Sequence, residues 1–448
     1  MKSLLLIAAV LFSGSAVYAQ TTDAALRRAI QSDKAARTSK GELPTLTAAE
    51  HLSRAETYSA NRLFPEAREH WQRVFDNYPD DPGIPKALFG MARSFMWERK
   101  YGDAVKWFDK LTKDHLNTKD GREGLAFKGA SYVRMGENLK AAKTYEQYVT
   151  MFPAGERIGS AHLNIIDAYR EAGEYDNANK WVDRTASQFA GKPTEVNALH
   201  ARLRLDIHRG NWSSAIAAAD RLLPKSFRGS MASADEVRYL RALALDGSGK
   251  RAEAASAFAA ISDATYYGGL ANDKRNTGID KIASVRATEY PILYKAELLK
   301  EARKHNVDPR FLLAIMKQES SFKANAKSPA GARGLLQLVY DTALKYNKAA
   351  GYPALAPDDL YRPAVNIAVG TAYVGALKRE FGGLYEAIAA SYNGGEDNAA
   401  RWLNRTKPKD PGVFAAEVGF AETKNYVFKV MNNYRAYRGL YTQDLQPK

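Results

Sequence analysis

Cysteine is absent from all 448 residues. That excludes disulfides, thiolate metal sites and thiol nucleophiles, and it leaves core burial to hold the chain together. Histidine is scarce: of seven, only His305 lies in the last third, with no His-Glu-x-x-His spacing and no second histidine beside it. A zinc hydrolase or a Ser-His-Asp triad is therefore not expected in that region, and neither a metal nor an organic cofactor is called for. Long apolar runs are missing as well. Past the N-terminus the longest comparable run is the six-residue Phe311–Met316, far short of the ~20 residues needed to cross a bilayer. In roughly the last 150 residues strand-like alternation is scarce, and with the helical repeats between residues 50 and 260 the expected fold class is all-α.

The first 19 residues differ from the rest. Lys2, the apolar run Leu4–Phe12 and then Val17-Tyr18-Ala19 before Gln20 read as a secretory signal cleaved after Ala19, too short for a membrane anchor. Export, in the periplasmic sense, is the expected localisation, with no integral membrane segment after cleavage. Lys and Arg outnumber Asp and Glu by 65 to 50, giving +15, and residues 1–19 account for only one of those charges. An acidic partner is expected: for an exported protein, an anionic cell-wall polymer or a membrane surface before nucleic acid. The competing reading is a basic charge spread for solubility, and no short Lys/Arg cluster of the nucleic-acid type stands out.

Between residues 50 and 260 the chain repeats. Ala67, Ala104, Ala141-Ala142, Ala178, Ala215 and Ala254 recur every 36 to 39 residues. Each unit has a first helix, a short turn often holding glycine (Gly136, Gly173, Gly210), and a second helix starting near the alanine. The small alanine permits close helix contact, and the aromatic just before it (Phe64, Tyr101, Tyr175, Trp212) plugs the neighbouring pair. One unit cannot bury its face alone, but a stack can. A tetratricopeptide-like α-solenoid is expected over 20–265, with a concave surface for peptide, protein or polymer. Residues 266–288 are expected to be a linker or short capping segment, and 289–448 a separate helix-rich domain.

Within that last region one carboxylate stands out. Asp308 reads as an N-cap and Pro309 as the first helical residue. Counting helically, Leu312, Ile315, Met316, Glu319 and Phe322 share a face. Glu319 then lies on an apolar stripe near the helix end, where desolvation and the helix dipole would raise its pKa, as a general acid requires. The plainer alternative is a helix-terminal polar residue before a loop.

Tyr290-Pro291, Gln318-Glu319-Ser320, the loop Ser328–Gln337, Ala390-Ser391-Tyr392-Asn393-Gly394-Gly395 and Glu422-Thr423-Lys424-Asn425-Tyr426-Val427 resemble, in order, the motifs of the soluble lytic murein transglycosylases. The resemblance is close over roughly residues 290–440. Departures are Leu336 where Met is usual, Val339-Tyr340 where Met-Pro is usual, and Ser391 and Gly394 where Ala is usual. None removes an ionisable group. The resemblance implies a lysozyme-like catalytic domain behind an α-superhelix and a glycan-lyase activity on peptidoglycan, with Glu319 catalytic. It further implies that Ser320, Ser328, Leu336, Gln337, Tyr392, Asn393, Glu422 and Tyr426 border the substrate, with peptidoglycan strands as the partner and cell-wall proteins as possible partners of the solenoid. Two other readings stay open: a lysozyme-type hydrolase using Glu422 or Asp341 as base, and a non-catalytic wall-binding scaffold.

Overall fold

The computed structural model describes residues 15–275 and 286–448, with side-chain detail beginning at Ala24. The expected leader at 1–19 and the middle of the expected linker at 266–288 lie largely outside the described residues. Among those described the architecture is all-helical, with only isolated β-bridges.

The repeats emerge as six helix pairs. The second helices are Phe64–Asn77, Tyr101–Asp114, Asn138–Met151, Tyr175–Gln188, Trp212–Leu222 and Arg251–Ala259. In every one the repeat alanine is the fourth residue, and all six are 0–2% exposed. The connecting turn has one geometry throughout. Two residues before each second helix the backbone is left-handed: Arg62 (φ 67), Arg99 (62), Gly136 (76), Gly173 (79), Gly210 (71) and Gly249 (83). The next N–H then reaches back five residues: Leu63 to the Tyr58 carbonyl at 3.0 Å, and Lys100 to Phe95, Glu137 to Tyr132, Glu174 to Tyr169, Asn211 to Asp206 and Lys250 to Leu245 at 2.9 Å each. This is the Schellman closure, which satisfies an orphan carbonyl at the end of the first helix. The aromatic plugs are real contacts too. A Cβ added to Gly247 would sit 2.7 Å from the Trp212 ring, and Phe64 stacks on Trp97 with centroids 5.4 Å apart.

By packing, the chain forms two compact units, Met1–Thr144 with Glu319–Gly370 and Tyr145–Gln318 with Thr371–Lys448. Each therefore combines repeat helices with a stretch from the C-terminal third. In the first, Leu26, Ala55, Tyr58, Trp71 and Met91 form a continuous core. The second is larger, and its core runs from Ile166 and Val182 through Leu240 and Tyr267 to Val413 and Ala416. The helix Tyr266–Lys274 belongs to it, with both tyrosines buried.

The second unit also buries a charge cluster. Glu417 takes both guanidinium nitrogens of Arg170 at 2.7 and 2.9 Å and Arg204 at 2.9 Å, with Arg405 Nε at 3.2 Å. Arg405 and Arg401 each reach Glu171 at 2.7 Å. Burial alone would raise the Glu417 pKa, but three guanidiniums overcome this and hold it far below the usual carboxylate range. Breaking one member of such a cluster leaves uncompensated buried charge, at about 3–5 kcal/mol.

Two changes separate these effects. Glu417→Gln is expected to lower stability by about 3–5 kcal/mol. Ala178→Leu, which inserts volume where helices touch, is expected to cost about 1–3 kcal/mol. Chemical denaturation followed by circular dichroism checks both; a midpoint unchanged in Ala178→Leu would mean that the alanine contact is not tight.

Candidate active site

Helix Pro309–Glu319 begins as its start signals require. The Arg310 N–H donates to Asp308 Oδ1 at 2.9 Å, the Arg310 guanidinium folds back onto the same carboxylate at 2.6 Å, and Tyr434 OH donates to Oδ2 at 2.9 Å. Burial works against the charged form of Asp308, but the Arg310 hydrogen bonds prevail and lower its pKa. The helix is not amphipathic, however. Every residue from Pro309 to Met316 is buried, including Leu313 and Ala314 on the faces away from the counted stripe. Glu319 is set apart by position along the helix instead of by face. It is the half-buried last residue, where the buried cylinder meets the surface.

Directly after it the chain reverses. Ser321 (φ 48) and Phe322 (φ 65) are both left-handed, a conformation costly for two consecutive non-glycine residues and typical of sites the surroundings over-determine. Ser320 is buried, and its Oγ donates to the Leu335 carbonyl at 2.7 Å, tying the helix end to the loop that follows. That loop is stitched to itself. Arg333 and Leu338 exchange backbone hydrogen bonds at 2.9 and 3.0 Å, and Gly334 N donates to the Ala326 carbonyl at 2.9 Å. Gln337, itself left-handed at φ 44, donates Nε2 to the carbonyls of Ala326 and Gly334 at 3.0 and 2.9 Å. Ser328 Oγ accepts from Ala332 N at 3.1 Å. Gly334 has to be glycine: φ is 77, and a Cβ would lie 2.2 Å from the Leu360 carbonyl.

Ser320 and Leu336, two of the expected substrate-bordering residues, lie in the interior of this loop. The Leu336 side chain is fully buried, packed where Gly370 leaves room for it. The Ser320 hydroxyl donates to the Leu335 carbonyl, and both side chains help to shape the loop. Asp341, weighed as a base, has both carboxylate oxygens on the Arg62 guanidinium, at 3.1 Å each.

In the second unit, helix Tyr385–Gly394 ends at Gly395 (φ 89). Tyr392 is half-buried, its ring 5.2 Å from that of Tyr373. Asn393 is exposed and accepts from Thr423 Oγ1 at 2.6 Å. Glu422, next to Thr423, is exposed as a residue, yet packing around its carboxyl raises its pKa against a hydrogen bond from Asn393. Asn393, Thr423 and Glu422 thus form one polar group, and Tyr426, on the same helix as Glu422, is buried. Among the described residues no three His, Cys, Asp or Glu side chains gather as metal ligands would.

Two polar residues escaped the sequence reading. Asn366 is wholly buried; its Oδ1 accepts from Leu336 N at 2.8 Å, and its Nδ2 donates to the carbonyls of Arg333 at 2.9 Å and Leu360 at 2.8 Å. A lone amide among Val365, Ile367 and Val369 was the available signal. Glu386, at the start of the helix carrying Tyr392, is buried; its pKa is pushed up to about 7 by desolvation, despite a hydrogen bond from Tyr266 OH.

Comparison with known proteins agrees with this anatomy. Residues 298–414 match the Transglycosylase SLT domain family, and residues 128–193 match the tetratricopeptide repeat family. The soluble lytic murein transglycosylase of Salmonella typhimurium is 31% identical over 144 residues, 32% of this chain and 22% of that protein. The membrane-bound lytic murein transglycosylase C of Salmonella arizonae is 34% identical over 160 residues, 31% of this chain and 44% of that protein. The chain thus spans about a fifth to under a half of these relatives' length. An inactive mutant of the lytic transglycosylase Slt from Pseudomonas aeruginosa shares the fold, at TM-score 0.52 and 16% identity over 94% of this chain and 86% of that one. The expected family resemblance therefore holds.

Asn366→Leu is expected to cost about 3 kcal/mol, since it strands a buried N–H and two buried carbonyls, and the loss would appear as a lowered thermal midpoint. For Glu386 the sign follows from its raised pKa: the folded state prefers the neutral acid, so this group weakens folding as pH rises through about 7. Glu386→Gln, neutral at every pH, should raise the thermal midpoint by a few degrees at pH 8.5 and change it little at pH 5. Equal effects at both pH values would contradict this.

Proposed function

We propose that this chain is an exported, periplasmic peptidoglycan lytic transglycosylase with Glu319 as its single catalytic carboxyl group. The carrying observation is that Glu319 ends a buried helix at a left-handed double turn and is tied through Ser320 to the loop of Gln337, within the segment that matches the SLT domain family. Protonated Glu319 gives its proton to the oxygen of the β-1,4 bond between N-acetylmuramic acid and N-acetylglucosamine, and that bond breaks. As carboxylate it then takes the proton of the muramoyl 6-hydroxyl, whose oxygen bonds to C1 and closes a 1,6-anhydro ring. The sugar's own hydroxyl replaces water, so no second carboxylate is needed to activate water, and effective molarity favours the internal attack.

Support comes also from the hydrolase alternative. It needs a second carboxylate as base, and Asp341 is held by Arg62 through both oxygens. Ser320, Ser328, Leu336, Gln337, Tyr392, Asn393, Glu422 and Tyr426 are the residues we assign to substrate binding or its support. Gln337 and Ser328 also hold loop backbone, Ser320, Leu336 and Tyr426 are buried, and Asn393 and Glu422 are exposed. The net positive charge suits a wall polymer bearing carboxylates, and the leader-like residues 1–19 are the basis for export.

Glu319→Gln changes volume little and removes the transferable proton. Release of soluble fragments from purified peptidoglycan is expected to fall by about 100- to 10,000-fold, with the circular dichroism spectrum unchanged. Mass analysis of the wild-type products should find muramic ends lighter by one water and resistant to borohydride. Reducible ends would establish the hydrolase instead, and Glu422→Gln would then be the variant to test for its base.

A further inference from the structure

The first repeat turn makes long-range polar contacts of its own. Asn61 is buried, and its Nδ2 donates to the Thr57 carbonyl at 2.8 Å, which fixes which way the amide faces. Its Oδ1 accepts from Lys327 Nζ and from Arg333 Nη2, both at 3.0 Å. Lys327 and Arg333 are themselves buried, and they pair across the antiparallel bridge that opens the Ser328–Leu338 loop. A single carboxamide oxygen thus anchors both sides of the loop's base. The backbone fits as closely as the side chains. Gly331 (φ 75) lies against the same turn, where a Cβ would stand 2.8 Å from the Ala60 carbonyl.

The next residue adds a second hold. At the left-handed position where four of the six turns have glycine, this one has Arg62, accepting a backbone cost of about 1–2 kcal/mol. Its guanidinium lies over Trp97 at 4.8 Å and Phe64 at 5.1 Å and grips Asp341 through two hydrogen bonds in the first turn of helix Tyr340–Ala350. Planar, two-pronged pairing of this kind fixes orientation as well as distance. Asn61 and Arg62 therefore secure the loop at its base and just beyond its end, from a site more than 250 residues away in sequence.

We infer that the Ala60–Arg62 turn is a positioning element for the catalytic loop, through which the first repeat sets the geometry of Gln337 and, by way of the Ser320–Leu335 hydrogen bond, of Glu319. A solenoid repeat here acts as part of the active-site scaffold in addition to any binding role. The inference rests on the proposed transglycosylase activity for its kinetic readout only.

The test uses the full chain with Asn61→Ala and Arg62→Gly, read by peptidoglycan turnover and by hydrogen exchange of residues 326–338. Arg62→Gly installs the residue that four of the other five turns use at this φ, so it folds without strain. Expected for both variants are faster exchange confined to the loop and a fall of about 10- to 100-fold in turnover at saturating peptidoglycan, the order that misplacement of about 1 Å brings, with the half-saturating concentration changed less than about threefold. A merely structural turn would alter exchange across the first repeats and lower the thermal midpoint without a selective loss of turnover, and that result overturns the inference. So does wild-type turnover in both variants, or a turnover loss with loop exchange unchanged. If Asn61→Ala does not fold, Arg62→Gly decides on the same readouts. If the wild type itself releases no fragments, the functional proposal fails separately, and loop exchange alone decides whether the turn holds the loop.

Discussion

The left-handed residue that closes the first helix of each repeat is the constraint on which much of the remaining structure depends. A helix that ends with unpaired carbonyls must satisfy them, and a Schellman turn does so in two residues while sending the chain back against the helix it has just left. The alanine four residues into the next helix then has no room for a larger side chain. Turn and alanine together fix the distance and angle of each pair, and every later surface inherits that geometry. In four turns glycine carries the left-handed backbone without cost; in two, arginine does so under strain. The strained positions are where the repeat departs from local economy, and at Arg62 the departure coincides with a long-range ion pair to Asp341.

Each compact unit applies this scaffold to a different C-terminal segment. In the first, the segment includes a loop that buries Leu335, Leu336 and Leu338 and is also held by polar contacts from Asn366, Asn61 and, at the helix end, Ser320. The buried leucines hold the loop in place, and the directional polar anchors fix its orientation. In the second unit the helix Pro411–Glu417 delivers Glu417 to Arg170 and Arg204 from the repeats and Arg405 from a neighbouring helix. Buried charge of this kind contributes less to net stability than its contact count implies, but it penalises any other arrangement steeply.

What could be read in the sequence follows from the range of the forces involved. The repeat alanines, the Asp308 cap and the position of Glu319 at a helix end are local, set within a few residues, and periodicity or capping chemistry exposes them. The one-face reading of helix Pro309–Glu319 failed because that helix is enclosed on every side, which a pattern of apolar spacing cannot distinguish from a stripe when Leu313 and Ala314 are apolar as well. Leu336 and Ser320 sit in a motif beside Gln337 and Glu319, and only the three-dimensional path shows their side chains packed inward, against Gly370 and bonded to the Leu335 carbonyl.

Asn61 and Arg62 were less hidden than they first seem. Aligning the six turns by their alanines puts Arg62 in register with Gly136, Gly173, Gly210 and Gly249, so the sequence itself holds a charged residue in a glycine position. Its partner was not, since Asp341 lies 279 residues away and no periodicity links the two. A departure from a repeat's own rule shows where an external constraint acts, while the fold alone shows what imposes it. By the same reasoning Arg99, the other non-glycine turn residue, is the next position at which the solenoid gives up local comfort, and the second turn is where a further constraint on the repeats should be sought.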